Sequence, residues 1–189
     1  MNKIVSKTIG RPVSFDRGST VQAAKDLYWH SGVAKTSFNT AARVLNVSKP
    51  TLYRYFGDED GLLSEALQLY VEKQDRNEDL LSASGDLRTD LNAWFSAEID
   101  EMYQRHADNA VPSGCLLMEC WQLGKALGDK TTKTLHQAIN YKLEIFKKRL
   151  LAAKVDHQLS PGIDLTAAVH LLAGQIIVAK NLILIGVPK

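Results

Sequence analysis

Two short runs of this 189-residue chain hold the side chains best suited to chemistry. The first is Ser48-Lys49-Pro50-Thr51-Leu52-Tyr53-Arg54-Tyr55. In a helix that starts at Ser48, Leu52 and Tyr55 supply inward positions while Lys49, Thr51, Tyr53 and Arg54 face out. Lys49 and Arg54 donate to phosphate or guanine, and Thr51 can approach a thymine methyl. Tyr53 and Tyr55 join a hydroxyl for phosphate to ring surface for packing. The second run is Gly114-Cys115-Leu116-Leu117-Met118-Glu119-Cys120. A thiol opening a helix, as Cys115 would, gains thiolate character. At a rise of ~1.5 Å per residue Cys120 lies more than ~7 Å from Cys115, which argues against a disulfide within an intact helix. The simpler reading of the pair, two small core hydrophobes, is preferred.

Little else points to catalysis. The five histidines show no helical metal-binding spacing, and the twelve glycines are too scattered to form a phosphate loop. Two cysteines rule out a disulfide-stapled secreted domain and a four-cysteine zinc site. No metal, cofactor or catalytic set is expected, and a Cys115-based enzyme is the remote alternative.

Charge separates the chain into two parts. Residues 1–56 hold nine Lys and Arg against two Asp, a net +7, and the remaining residues hold 14 basic against 19 acidic, a net −5. The whole-chain charge of +2 conceals this division. A basic head on an acidic body is the electrostatic footprint of a nucleic-acid-binding module. The first ten residues lack the apolar run of a signal peptide, and Leu165 to Val187 is interrupted by His170, Gln175, Lys180 and Asn181. The chain is therefore expected to be soluble and cytoplasmic, without a membrane span.

The elements that must position these groups all read as helices, so the fold class is all-α. Val21, Ala24, Leu27 and Tyr28 share one face of a helix expected from near Ser19 to before Gly32. A short second helix follows Thr36, and a third is capped by Ser48 with Pro50 in its first turn. The turn between them carries Asn46, which tolerates a left-handed backbone, and Ala42 gives the small residue the crossing needs. Gly57 breaks the chain and Asp58 caps a fourth helix. Further helices are expected around Leu87–Met102, from Cys115 to about Leu127, around Leu135–Leu150, and from Ser160-Pro161 to about Ile185. The expected division is residues 1–67, a three-helix helix-turn-helix head, and residues 68–189, a larger helical body.

Thr36-Ser37, Ala41-Ala42 and Val47-Ser48-Lys49-Pro50-Thr51-Leu52-Tyr53-Arg54-Tyr55-Phe56 resemble the DNA-binding signature of the TetR family of bacterial regulators. The lead-in Gly10-Arg11-Pro12, Ser14-Phe15-Asp16, Ala23-Ala24 and Trp29 with Gly32 is similar to the opening of many members. The resemblance covers about residues 10–67 and implies a homodimer whose two heads occupy successive major grooves of a palindromic double-stranded operator. It implies DNA contacts from Arg11, Thr36, Ser37, Ser48, Lys49, Pro50, Thr51, Tyr53, Arg54 and Tyr55. It also implies that residues 1–67 are the DNA-binding domain and that residues 68–189 dimerise, bind a small-molecule effector and move the heads apart, most simply as a repressor. Three features depart from the pattern. Asn46 replaces the turn glycine, and Glu59 stands where many members have lysine. The chain ends at Lys189, so a dimer interface of two helices rather than three is expected.

In the body, the last helix is apolar nearly all round, which calls for burial against its own core on one side and a second subunit on the other. Trp94, Tyr103, His106, Cys115, Met118, Trp121, Gln122, His136 and Tyr141 mix apolar bulk with isolated polar groups, as a pocket between helices would. The Gly114-Cys115 pair resembles a family branch in which some members sense oxidants or electrophiles. The alternative to a regulator is a small-molecule-binding helical dimer that does not bind an operator.

Overall fold

The computed structural model describes residues 15–73, 77–82, 84–107 and 114–188, the third stretch with side chains through 105. Arg11 and the side chain of His106 lie outside the described residues. Every regular element among the described residues is helical, in the order α1 (Arg17–Ser31), α2 (Phe38–Val44), α3 (Lys49–Phe56), α4 (Glu59–Glu72), α5 (Leu87–Ala107), α6 (Leu116–Leu123), α7 (Asp129–Val155) and α8 (Leu165–Leu184). Short 3-10 turns at Glu78–Ser82 and Gly124–Ala126 join some of them.

Helix starts follow side-chain oxygens that accept otherwise unpaired backbone N–H groups. Ser37, Ser48 and Asp58 cap α2, α3 and α4. Two starts differ from the sequence expectation. The first helix begins at Arg17 rather than near Ser19, because the Asp16 carboxylate accepts from both Gly18 and Ser19. The last begins at Leu165 rather than Ser160-Pro161, because Asp164 accepts from Thr166 and Ala167. In each case one carboxylate oxygen takes two N–H groups, which a serine hydroxyl there would not match. The helix expected to reach Leu127 stops at Leu123, where Gly124 takes a positive φ of 49°.

Two apolar clusters hold the chain together. One fills the space among α1–α4 with Tyr28, Leu52, Leu62 and Leu67, and extends to Leu116 and Cys120 of α6 and Leu135 of α7. The other joins α5, α7 and α8 through Trp94, Phe146, Leu150, Val169 and Ile176. At about 1.5–3 kcal/mol per fully buried large side chain, these clusters carry most of the favourable burial. α4 runs unbroken across residue 67, so head and body share a helix and part of a core.

The last helix is covered on one side only. Val169, Ile176 and Ile183, seven residues apart, are buried against the chain's own core. Leu171, Val178, Leu182 and Ile185 are exposed, as are Leu151 and Val155 on α7. By length and composition α8 could cross a membrane, with a mean hydropathy of 1.7. Its inner stripe packs on the chain's own core, and its opposite apolar face is uncovered.

Candidate nucleic-acid interface and effector cavity

The turn between α2 and α3 is tight. Asn46 adopts a positive φ of 53°, the left-handed backbone for which asparagine is second to glycine. The Val47 amide returns to the Ala42 carbonyl at 3.1 Å. Leu52 and Phe56 anchor α3 in the core, so its other faces point to solvent. Lys49, Pro50, Tyr53 and Arg54 are exposed and Thr51 is half-buried; Tyr55, expected to turn inward, is exposed too, because Phe56 takes the core position four residues after Leu52. The Tyr53 ring meets Phe38 edge-on at 4.8 Å. Tyr55 stacks on Phe15 at 4.0 Å, and the Arg54 guanidinium lies 5.6 Å from the Tyr55 ring centre. These contacts hold the hydroxyls and the guanidinium on one outward surface.

Ser37 and Ser48 are exposed, each accepting a backbone N–H, from Thr40 at 3.2 Å and Thr51 at 3.3 Å. Thr36, expected to offer its hydroxyl to phosphate, does not face out. It is 1% exposed and its hydroxyl donates to the Gly32 carbonyl at 2.8 Å. Its contribution is to fix the loop that carries Ser37. Part of the head's positive charge is also spent internally: Arg17 pairs with Glu65, and buried Lys25 lies 2.7 Å from Asp26. Lys35, Arg43, Lys49 and Arg54 are exposed. Glu59 is exposed in the first turn of α4, where a carboxylate suits the positive end of the helix.

In the body, a cavity of about 160 Å³ opens between α5, α6, α7 and α8. Trp94, Cys115, Met118 and Trp121 line it. Tyr103, His136 and Tyr141 do not. Tyr103 donates to the Val187 carbonyl at 2.8 Å, Tyr141 donates to Glu78 at 2.8 Å, and His136 is exposed on α7. Gln122 is exposed and lines a neighbouring groove with Trp29, Met118 and Glu119. Both thiols are free. Burial pushes the Cys120 thiol up to about 12, which makes it a core hydrophobe, whereas half-buried Cys115 reaches the cavity.

Three charged residues lining the cavity went unmarked in the sequence: Glu98, Lys142 and Lys180. Glu98 accepts from Lys180 at 2.6 Å and from Asn77 at 3.1 Å. Burial acts to raise its carboxyl, but the ammonium of Lys180, the Asn77 amide and the field of Lys142 outweigh it and hold the group below its ordinary value. A signal was present. Glu98 lies midway between buried Trp94 and Met102 at four-residue spacing, and Lys180 follows buried Ile176 by four; each is a charge on a core stripe. A depressed carboxyl contributes stability that is present above its unfolded pKa and lost as pH falls through the folded one. Glu98→Gln is therefore expected to cost about 2 kcal/mol at pH 7. The gap to the parent should begin to narrow only as pH falls below the ordinary glutamate range, and close as the parent's depressed carboxyl protonates at still lower pH. Urea midpoints followed down through that range check this.

α6 joins the cavity to the head. Its Glu119 carboxylate accepts the Val33 amide, between α1 and α2, at 2.7 Å. The Trp29 indole donates to the Gly114 carbonyl at 2.8 Å. At the other side of the head, Asp60 accepts the Lys130 and Thr131 amides at the start of α7, at 2.8 and 2.9 Å.

Residues 21–66 match the family model described as bacterial regulatory proteins, tetR family. The chain is 26% identical over 167 residues to the HTH-type transcriptional repressor ComR of Escherichia coli K12, covering 86% of this chain and 76% of that protein. Among solved structures it is similar to a cysteine mutant of the TetR family regulator CifR complexed with 26-bp double-strand operator DNA. That similarity has a TM-score of 0.70 and 23% identity, over 90% of each chain. It is also similar to the reduced form of E. coli NemR, with a TM-score of 0.64 and 15% identity over 87% of each chain.

Proposed function

Because the chain belongs to the tetR family of bacterial regulatory proteins, we propose that it is a cytoplasmic transcriptional repressor rather than an enzyme. It binds a palindromic double-stranded operator as a homodimer and is released by a small molecule or thiol-reactive compound in the body cavity. The observation that carries this reading is the outward surface of α3, with Lys49, Thr51, Tyr53, Arg54 and Tyr55 on a helix whose Leu52 and Phe56 are locked in the core. Exposed base-reading and phosphate-binding groups on a rigid helix suit the major groove. Ser37 and Ser48 stand at the flanking helix starts, and Arg11 belongs with them on the strength of the sequence resemblance. Residues 1–67 read DNA and residues 68–189 bind the effector and the partner subunit. ComR is named a repressor and CifR was solved on operator DNA, which supports the same reading here.

Dimerisation uses the uncovered face of α8 with Leu151 and Val155 of α7, an apolar seam that water would otherwise meet. Two helices per subunit supply it. Effector binding acts through α6, which borders the cavity and holds the Val33 amide through Glu119. A shift of α6 moves the loop before Ser37 and with it the angle of the head. Cys115, at the start of α6 and on the cavity wall, is the atom a thiol-reactive effector would modify.

Arg54→Ala is expected to weaken operator binding by about 1–3 kcal/mol with melting temperature and dimer mass unchanged. Fluorescence anisotropy at matched salt measures it, and equal affinities would remove Arg54 from the interface.

A further inference from the structure

The charges around the cavity point to a specific class of ligand, on the reading that this cavity is the effector site. Its walls are mainly apolar, including Trp94 packed edge-on against Phe146 at 5.0 Å. Its volume of about 160 Å³ is close to the ~150 Å³ of an apolar cavity that accommodates benzene. The occupant is therefore about one ring, or an alkyl group of that bulk, with a small polar end.

The polar end is set by what the walls already satisfy. Glu98 has both oxygens engaged, one by Asn77 and one by Lys180. The Lys180 ammonium carries three N–H donors, one of them directed to Glu98. Lys142, the second ammonium on the wall, lies 3.7 Å from Glu78. On the wall Glu98 and Lys180 neutralise each other, and Lys142 is itself held in an ion pair. An anion or a cation entering the apolar part would add an uncompensated charge, which is costly in a poorly hydrated site. Against this pairing, the hydrogen-bonding capacity is skewed toward donors, because both Glu98 oxygens are taken while the Lys180 ammonium has N–H groups beyond the one it directs to Glu98. We propose that the cavity binds a small uncharged carbonyl compound, one ring or its alkyl equivalent in size, whose oxygen accepts a hydrogen bond from Lys180.

Four probes of matched size separate the alternatives by calorimetric titration of the full chain: acetophenone, ethylbenzene, benzoate and phenethylamine. Acetophenone is expected to bind at least about tenfold more tightly than the other three, the effect of one hydrogen bond to a charged donor. Lys180→Met should abolish its advantage over ethylbenzene. Because that change strands Glu98, the double variant Glu98→Gln, Lys180→Met, which carries neither charge, should give the same loss in a folded protein. Equal binding of ethylbenzene, tighter binding of benzoate or phenethylamine, or no binding of any probe would each overturn the proposal. Operator release is read separately. Acetophenone that binds with the stated preference but leaves the operator bound supports the ligand class and contradicts the cavity as effector site. Operator release by a compound that occupies this cavity without any carbonyl preference retains the effector reading and overturns the ligand class.

Discussion

Val178→Glu yields a helical monomer that binds an operator about 10²–10⁴-fold more weakly than the parent. Val178 is 52% exposed on α8, between Leu171 and Ile185 on one seven-residue stripe. In a two-fold dimer the same patch meets its copy, so each substitution places two carboxylates in one apolar interface. Desolvating them costs more than the lost valine contact. The chain's own core is untouched, because the inward stripe of α8 is Val169, Ile176 and Ile183. The loss of affinity is large because the dimer makes the second half-site encounter intramolecular, and the monomer forfeits that effective concentration. Sedimentation velocity and anisotropy on the same samples give both quantities. A Val178→Glu protein that stays dimeric would move the interface elsewhere, and a monomer of parental affinity would remove the dimer from operator binding.

Gly61→Ala is expected to destabilise the head by about 3 kcal/mol, the upper part of the usual range for overpacking. A Cβ at residue 61 would lie 2.0 Å from the Phe56 carbonyl oxygen. That oxygen is backbone, so no rotamer change relieves the contact. The α3–α4 junction must open, and α3 with it. Operator binding should fall further than the loss of stability alone explains, because the angle of α3 changes. Gly162→Ala is the matched control, since a Cβ there meets nothing within 4 Å. Denaturant midpoints at unchanged m-value report the difference, and equal midpoints for both variants would contradict the packing described for this junction.

The head was legible in the sequence because its structure is fixed by local signals. Ser37, Ser48 and Asp58 each sit where a helix needs an acceptor, Asn46 and Gly57 where the backbone turns left-handed, and Leu52 and Phe56 four residues apart on one face. Errors arose where two local candidates competed. Asp16 and Asp164 start their helices ahead of Ser19 and behind Ser160 because a carboxylate accepts two amides at once. Thr36 read as a phosphate contact because helix-start hydroxyls commonly are. Only the fold shows its hydroxyl turned to the Gly32 carbonyl.

The cavity was less legible, because it is made by segments distant in sequence. Trp94, Met118 and Trp121 were visible as bulk, and Cys115 as a thiol at a helix start. Glu98 and Lys180 find each other across 82 positions, so neither suggested a site alone. Glu119 likewise accepts an amide 86 residues away, a contact that no local spacing announces. The uncovered face of α8 was anticipated from its all-round apolarity, since the chain's own core reaches only one side of it.

The central claim is operator recognition, and selection of bound fragments from random double-stranded DNA, at two salt concentrations, tests it most directly. The account predicts an enriched palindrome whose half-sites lie about one helical turn or a multiple apart, with affinity falling steeply as salt rises. Absence of any enriched sequence, from protein shown to be folded, dimeric and free of bound ligand, would contradict it.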